Sequence, residues 1–211
     1  LVLGPANSGK MGHVLEWWKR RAVDRPVLVA PTGPDSRDLT AEMARVAGGV
    51  IGQSVAQTFD DLVRLVLDRP PRYASDLDLS LMMARLLEEG PLEALEGAAR
   101  LPGTSTALAA LILELGESGR THEELDGILS RWATLDPRSR PLAHDLRRLL
   151  GGYVDTCARL GLVTRPEAVR EAVQAAGAWT RPVALYGFTS FTPGQRALIE
   201  ALSRRTEVLL T

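Results

Sequence analysis

Residues Pro26 to Pro31, PVLVAP, form an unbroken apolar run closed by a proline at each end. A half-exposed strand would alternate apolar and polar residues. A short continuous run between breakers reads instead as a strand buried on both faces, the pattern of parallel sheets. Such a strand needs parallel neighbours, and parallel neighbours need long crossover connections, usually helices. The flanking sequence supplies both. Further β-like runs stand at Leu1 to Leu3, in GVIGQSVAQTF (Gly49 to Phe59), in RPVALYGF (Arg181 to Phe188) and in the closing TEVLLT. Helical patterns fall between the early ones, at Gly12–Ala22, Ser36–Ala47 and Phe59–Leu67. This alternation predicts an α/β fold with a parallel, doubly wound sheet.

The stretch from about Asp68 to Trp179 has a different texture. LSLMMARLLEE, TALAALILELGE, HEELDGILSRWATL and PLAHDLRRLLGGYVDTCARLG all carry apolar residues at helical spacing. Pro70-Pro71, Pro102-Gly103 and Pro137 divide them, and no strand-like run intervenes. The expectation is an all-helical subdomain, residues 69–179, inserted into an α/β domain made of 1–68 and 180–211. RPPR (Arg69 to Arg72) and TRP (Thr180 to Pro182) are the candidate junctions. Leu1 opens in what reads as a strand and Thr211 follows an apolar run, so the sequence reads as a piece of a larger protein.

The first strand runs into LGPANSGKMG, which matches the phosphate-loop pattern G-x-x-x-x-G-K-[ST] at every fixed position but the last. In that loop, successive backbone N–H groups point at phosphate oxygens, the lysine reaches the terminal phosphates and the hydroxyl holds Mg2+. Only two of the 25 basic residues are lysine, Lys10 and Lys19. With so few, a chance G-x4-G-K is expected about 0.02 times in a chain of this composition. A strand precedes the loop and a helix follows, as the motif requires. The candidate nucleotide contacts are therefore Gly4, Asn7, Ser8, Gly9, Lys10 and Met11. Met11 replaces the hydroxyl, and a thioether is the wrong ligand for a hard cation. Hydrolysis also needs a carboxylate at the end of a neighbouring strand. The strand in position to supply it, VALYGF, ends in Gly187-Phe188. Both halves of the metal site are missing, so no catalytic residue is assigned and motor activity is not expected.

These segments, in this order, resemble the first domain of superfamily 1 DNA helicases, and more closely the AddB-type (RecB/UvrD-like) subunits of bacterial helicase–nucleases. LGPANSGK, LVAPT, QTFDDLVRLVL and LYGFTSFTPGQRALIEALSRRTEVLLT carry the resemblance. It covers the outer α/β parts by motif; over the helical insert it rests on position and helicity alone. The resemblance implies a P-loop, RecA-like sheet with an inserted helical subdomain, and a role in processing double-strand DNA ends for recombinational repair. It implies DNA and an active helicase–nuclease subunit as partners, while the single cysteine suits a cytoplasmic setting. ATP is the cofactor implied for the loop, with Mg2+ left without its hydroxyl. The nuclease domain and iron–sulfur cluster of such subunits fall outside this sequence. Two alternatives stay open: a nucleotide-binding regulatory domain without turnover, and a P-loop small-molecule kinase, which would set an acidic residue opposite the loop.

Related helicases touch single-stranded DNA from strand-end loops, which makes Thr32, Thr58 and Phe59 the candidate DNA contacts. Thr32 also suits a plain turn in PTGPDS, and Phe59 a core position. Composition adds limits. Net charge is −1, so no overall basic field draws in nucleic acid and any contact must be local. One cysteine, Cys157, excludes an internal disulfide and reads as a buried structural thiol. No apolar run reaches membrane-spanning length. His13, His122 and His144 lack ligand-like spacing. Trp17 and Trp18 cannot share a helix face, so one is assigned to the core. TPGQ at Thr192–Gln195 has the form of a helix-capping box.

Overall fold

The computed structural model describes residues 9–47 and 56–211. The chain divides into two compact units, residues 1–70 with 169–211, and residues 71–168. Residues 169–179, grouped with the insert on sequence, cluster with the first unit.

In the first unit, helix α1 (Lys10–Arg20) precedes strand β1 (Val27–Ala30), followed by α2 (Gly33–Ala47), β2 (Ala56–Thr58) and α3 (Phe59–Leu67). The later part of the chain adds β3 (Val183–Leu185), α9 (Pro193–Ser203) and β4 (Val208–Leu210). The strands form one parallel sheet in the order β2-β1-β3-β4. All four residues of β1 are buried, as the PVLVAP run required. The expected strand at Leu1–Leu3 and most of GVIGQSVAQTF lie outside the described residues.

Register assigns the faces. Leu28 pairs with Ala56 on one side and Ala184 on the other, and Ala184 pairs with Leu209. These residues, with Ala30, share a core with Val14, Leu15 and Trp17 of α1 and Leu39 and Met43 of α2. Val27, Val29, Val183 and Leu185 alternate with them and therefore point to the opposite face. There α3 packs on β1 and β2, and α9 on β4. Fully burying a Val or Leu side chain contributes roughly 1.5–3 kcal/mol, so the short central strands and the helix faces packed on them together carry the unit's apolar stabilisation. Trp17 is buried and donates its indole N–H to Glu207 at 2.9 Å, while Trp18 packs half-buried on the same core.

The second unit is helical: α4 (Asp76–Glu88), α5 (Thr104–Glu117), α6 (His122–Leu135) and α7 (Arg140–Leu160). Helix α8 (Arg165–Ala175) begins in this unit and ends in the first. Leu79, Met82, Met83, Leu86 and Leu87 follow helical spacing along α4 and bury one stripe against Leu149, Leu150, Tyr153 and Cys157 of α7. Cys157 is buried, as its apolar setting predicted. Gly152 allows close approach, because a Cβ there would stand 2.6 Å from Leu86 Cδ2. Capping boxes open α3 (Thr58/Asp61), α4 (Ser75/Asp78), α6 (Thr121/Glu124) and α9 (Thr192/Gln195). Each satisfies backbone N–H groups that a helix start leaves unpaired.

One buried carboxylate organises a segment without regular structure. Asp145 on α7 is fully buried and accepts backbone N–H bonds from Glu93 (3.0 and 3.1 Å), Ala94 (2.8 Å) and Leu95 (2.9 Å). Elsewhere in this unit, Glu167 bonds His122 Nε2 at 2.8 Å and the Thr164 amide at 2.8 Å.

Candidate functional site at the carboxyl ends of the strands

In an open parallel sheet, ligands bind where the chain leaves adjacent strands in opposite directions. From β1 the chain goes by α2 to β2; from β3 it goes by α9 to β4, on the other side. The crevice between the carboxyl ends of β1 and β3 is thus the switch point among the described strands. A cleft of about 340 Å3 lies there, lined on one side by Met11, Pro31, Tyr186 and Gly187. Its other wall is α2, which contributes Asp35, Asp38 and Glu42.

The two departures from the phosphate-loop pattern meet in this cleft. Met11, in the first turn of α1, is half-buried and packs on the α1–α2 core. Tyr186 continues β3, its amide donating to Val29 O at 2.9 Å, and Gly187 follows with φ +82°. That left-handed backbone favours glycine, so position 187 resists a side-chain ligand on conformational grounds as well as by identity. Gly9 caps α1 in a left-handed conformation (φ 78°), without a side-chain cap. Lys10 is half-buried and engaged in an interaction of its own. Gly4, Asn7 and Ser8 lie outside the described residues.

A nucleotide's Mg2+ requires hard oxygen ligands, usually from the loop hydroxyl and a strand-end carboxylate. A thioether and a glycine hold those positions here. Among the described residues, no group of three or more His, Cys, Asp or Glu side chains is arranged to hold a metal ion. Among the described residues, Met11 and Gly187 offer Mg2+ no hard oxygen ligand from their side chains.

The candidate DNA contacts sit at the same edge of the sheet, with their hydroxyls already in use. Thr32 donates to Asp35 Oδ2 at 2.6 Å and accepts from the Asp35 amide at 3.2 Å, which caps the start of α2. Thr58 is bonded in the same manner to Asp61, at 2.7 and 3.2 Å. Burial by itself raises the Asp61 carboxyl, but the Thr58 bonds and the Arg64 charge outweigh it and hold the group below the usual range. Phe59 is buried. It meets Phe188 edge-on, with ring centroids 6.3 Å apart and planes at 75°. Phe188 in turn stacks on Phe191 at 5.0 Å and 24°. Both outer rings are half-buried.

Sequence reasoning thus located β1, β3 and Met11 but missed two features. Phe188 and Phe191 fall within a segment that carries the family resemblance and receive no role there, although their spacing of three just past a strand could mark them. Asp35, Asp38 and Glu42 belong to none of the motifs read from the sequence, although they recur at i, i+3 and i+7. His13 is exposed, while His144 pairs with Glu93 at 3.2 Å. No helix among the described residues is long and apolar enough to cross a membrane. Comparison with protein-family models and with curated proteins found no match to this chain.

Proposed function

We propose that the first unit is the α/β domain of a DNA-end-processing protein of the AddB type, a motor fold without motor chemistry that serves as a DNA-binding or assembly scaffold. In this reading its partners are single-stranded DNA or a duplex end, and an active helicase–nuclease subunit. The observation that carries it is the row of Phe59, Phe188 and Phe191 across the carboxyl ends of β2 and β3. A buried ring fixes two half-buried ones in a set orientation, which is the form of a base-stacking platform. Stacking tolerates any base and needs no overall basic field, so it is compatible with the net charge of −1.

The test is fluorescence anisotropy with a labelled single-stranded oligonucleotide, comparing the parent with Phe188→Ala/Phe191→Ala. Base–aromatic stacking contributes about 1–3 kcal/mol per base, so the double variant should bind at least about tenfold more weakly. Equal affinity would remove the DNA-binding reading. The carboxylates lining the cleft favour a second reading, phosphoryl transfer to a small molecule. Its weakness is that the described residues form no metal-holding set.

A further inference from the structure

The chain enters three neighbouring strands of the sheet through arginines. Register pairs Val27 of β1 with Val183 of β3, and Val183 with Val208 of β4. Arg25 and Arg181 each stand two residues ahead of their paired valines, and Arg205 stands three ahead of Val208. With Arg20, Arg21 and Arg204, the connections 20–26, 179–182 and 204–207 hold six arginines against two carboxylates, Asp24 and Glu207. Arg21 engages both carboxylates, and Glu207 also accepts from the Trp17 indole. The net charge of −1 over the whole chain thus hides a basic rim at the amino ends of the strands, opposite the cleft.

Arg20 and Arg204 stand at the ends of α1 and α9, where a cation complements the helix carbonyls. Arg25 and Arg181 belong to no α-helix. Arg181 donates its Nε–H to Arg25 O at 2.8 Å, and Arg205 donates its own to Gly177 O at 2.9 Å. The backbone therefore positions both guanidinium groups without neutralising them. Among the described residues, Arg25, Arg181 and Arg205 have no carboxylate partner. Arg181 is half-buried, its guanidinium carbon 5.5 Å from the centroid of the Trp179 ring. Burial and the neighbouring Arg25 charge both lower it below its ordinary value. Two like charges side by side, one of them partly desolvated, carry an electrostatic cost that a bound anion offsets.

We infer that this rim holds the phosphate backbone of a nucleic-acid strand, with Arg25, Arg181 and Arg205 as its contacts. The guanidinium fork matches a pair of phosphate oxygens. Neighbouring β-strands lie about 4.8 Å apart, and one strand of DNA carries a phosphate about every 3.4 Å of its axis. A row of arginines across three strand entries therefore meets several phosphates in succession. The choice of a nucleic acid over another polyanion rests on the proposed DNA-binding reading of this unit. It adds to that reading a second contact, for phosphates at one end of the strands where the phenylalanines serve bases at the other.

The experiment follows the anisotropy of a labelled single-stranded oligonucleotide with the whole chain over a range of salt. The series is the parent, Arg25→Gly alone, Arg25→Gly/Arg205→Gln, a control Arg100→Gln/Arg138→Gln, and Phe188→Ala/Phe191→Ala. Glycine suits the left-handed backbone at Arg25, φ 51°. Arg181 is left intact because it packs on Trp179, and thermal melts confirm that each variant folds. Arg100 and Arg138 are exposed and lie in the second unit. Arg25→Gly/Arg205→Gln should bind at least about fivefold more weakly than the parent. Its slope of log affinity against log salt should flatten by about 1.4, two phosphate contacts at about 0.7 each, and Arg25→Gly alone by half as much. The control should match the parent in both. An unchanged slope would overturn the inference, and so would an equal loss in the control, which would make net charge the cause. Polyglutamate competing as well as unlabelled DNA would also overturn it, by marking the rim as a site for acidic peptides. The two contacts fail separately. A loss confined to the phenylalanine variant removes the rim and keeps the stacking platform; a loss confined to the arginine variants does the reverse.

Discussion

Asp145 makes the second unit depend on a single carboxylate. Its oxygens accept from three consecutive backbone amides, Glu93, Ala94 and Leu95, and the side chain is fully buried. Hydrogen bonds to a charged group contribute about 1.5–3 kcal/mol each. The desolvation of the carboxylate, several kcal/mol, offsets much of that sum. Removing the acceptor takes the partner from three amides at once, and an N–H left without one loses about 1–3 kcal/mol where water does not replace it. Asp145→Ala should therefore destabilise the unit by about 3–5 kcal/mol, the range for breaking a buried pair from one side. Asp145→Asn keeps one carbonyl oxygen but turns an N–H2 donor towards N–H donors, so about 2–3 kcal/mol is expected. For a unit of about a hundred residues this corresponds to about 10–20 °C in melting temperature. Urea unfolding can be followed by Trp132, the only tryptophan between residues 71 and 168. Hydrogen exchange at the 93–95 amides gives the site-specific readout. An Asp145→Asn variant within 1 kcal/mol of the parent, with those amides still protected, would refute the reasoning.

Adjacent glycines on α7 should respond with opposite signs. A Cβ at Gly152 would meet Leu86 Cδ2 at 2.6 Å, so overpacking of about 1–3 kcal/mol should outweigh the helix-propensity gain of about 1 kcal/mol in Gly152→Ala. Gly151 has open space around it, so Gly151→Ala should stabilise by about 0.5–1 kcal/mol; thermal melts of both compare them directly. Glu167 gives a pH signature. Burial raises its carboxyl, but hydrogen bonds from His122 and Thr164 outweigh burial and lower it below the ordinary 4.5. A depressed folded value means stability that is fully present above pH 4.5 and lost as pH falls through the lowered value. Glu167→Gln should flatten the acid limb of a stability-against-pH curve, and an unchanged limb would rule out this source.

What could be read from sequence follows from how local each signal is. PVLVAP reports its own burial, because a run apolar at every position has no solvent face to offer. The capping box at Thr192 was legible for the same reason, since its two partners lie three residues apart. Asp145 was not legible. Its partners are some fifty residues away, and on sequence it is one more acidic position on an amphipathic helix. The unit boundary near Val169 was hidden because α8 is one continuous helix whose pattern does not change where its packing partners do.

The cleft is the harder case, because its composition depends on strand order. Pro31 and Gly187 are 156 residues apart, yet a Cβ on Gly187 would lie 3.7 Å from Pro31 Cδ. That proximity follows from β3 pairing beside β1 in parallel, and from the chain leaving the two strands in opposite directions. Once this order is known, the residue after each strand is a site position by geometry. The first turns of α2 then become a wall of the cleft. Carboxylates that would be neutral decoration on an outer helix face line a cleft instead. Met11 is read differently for the same reason. In the sequence it is a missing hydroxyl. In the fold it is an apolar side chain packed on the α1–α2 core, so Met11→Thr would trade core contact for a hydroxyl beside three acidic residues. The substitution that completes the motif on paper therefore costs packing in the fold.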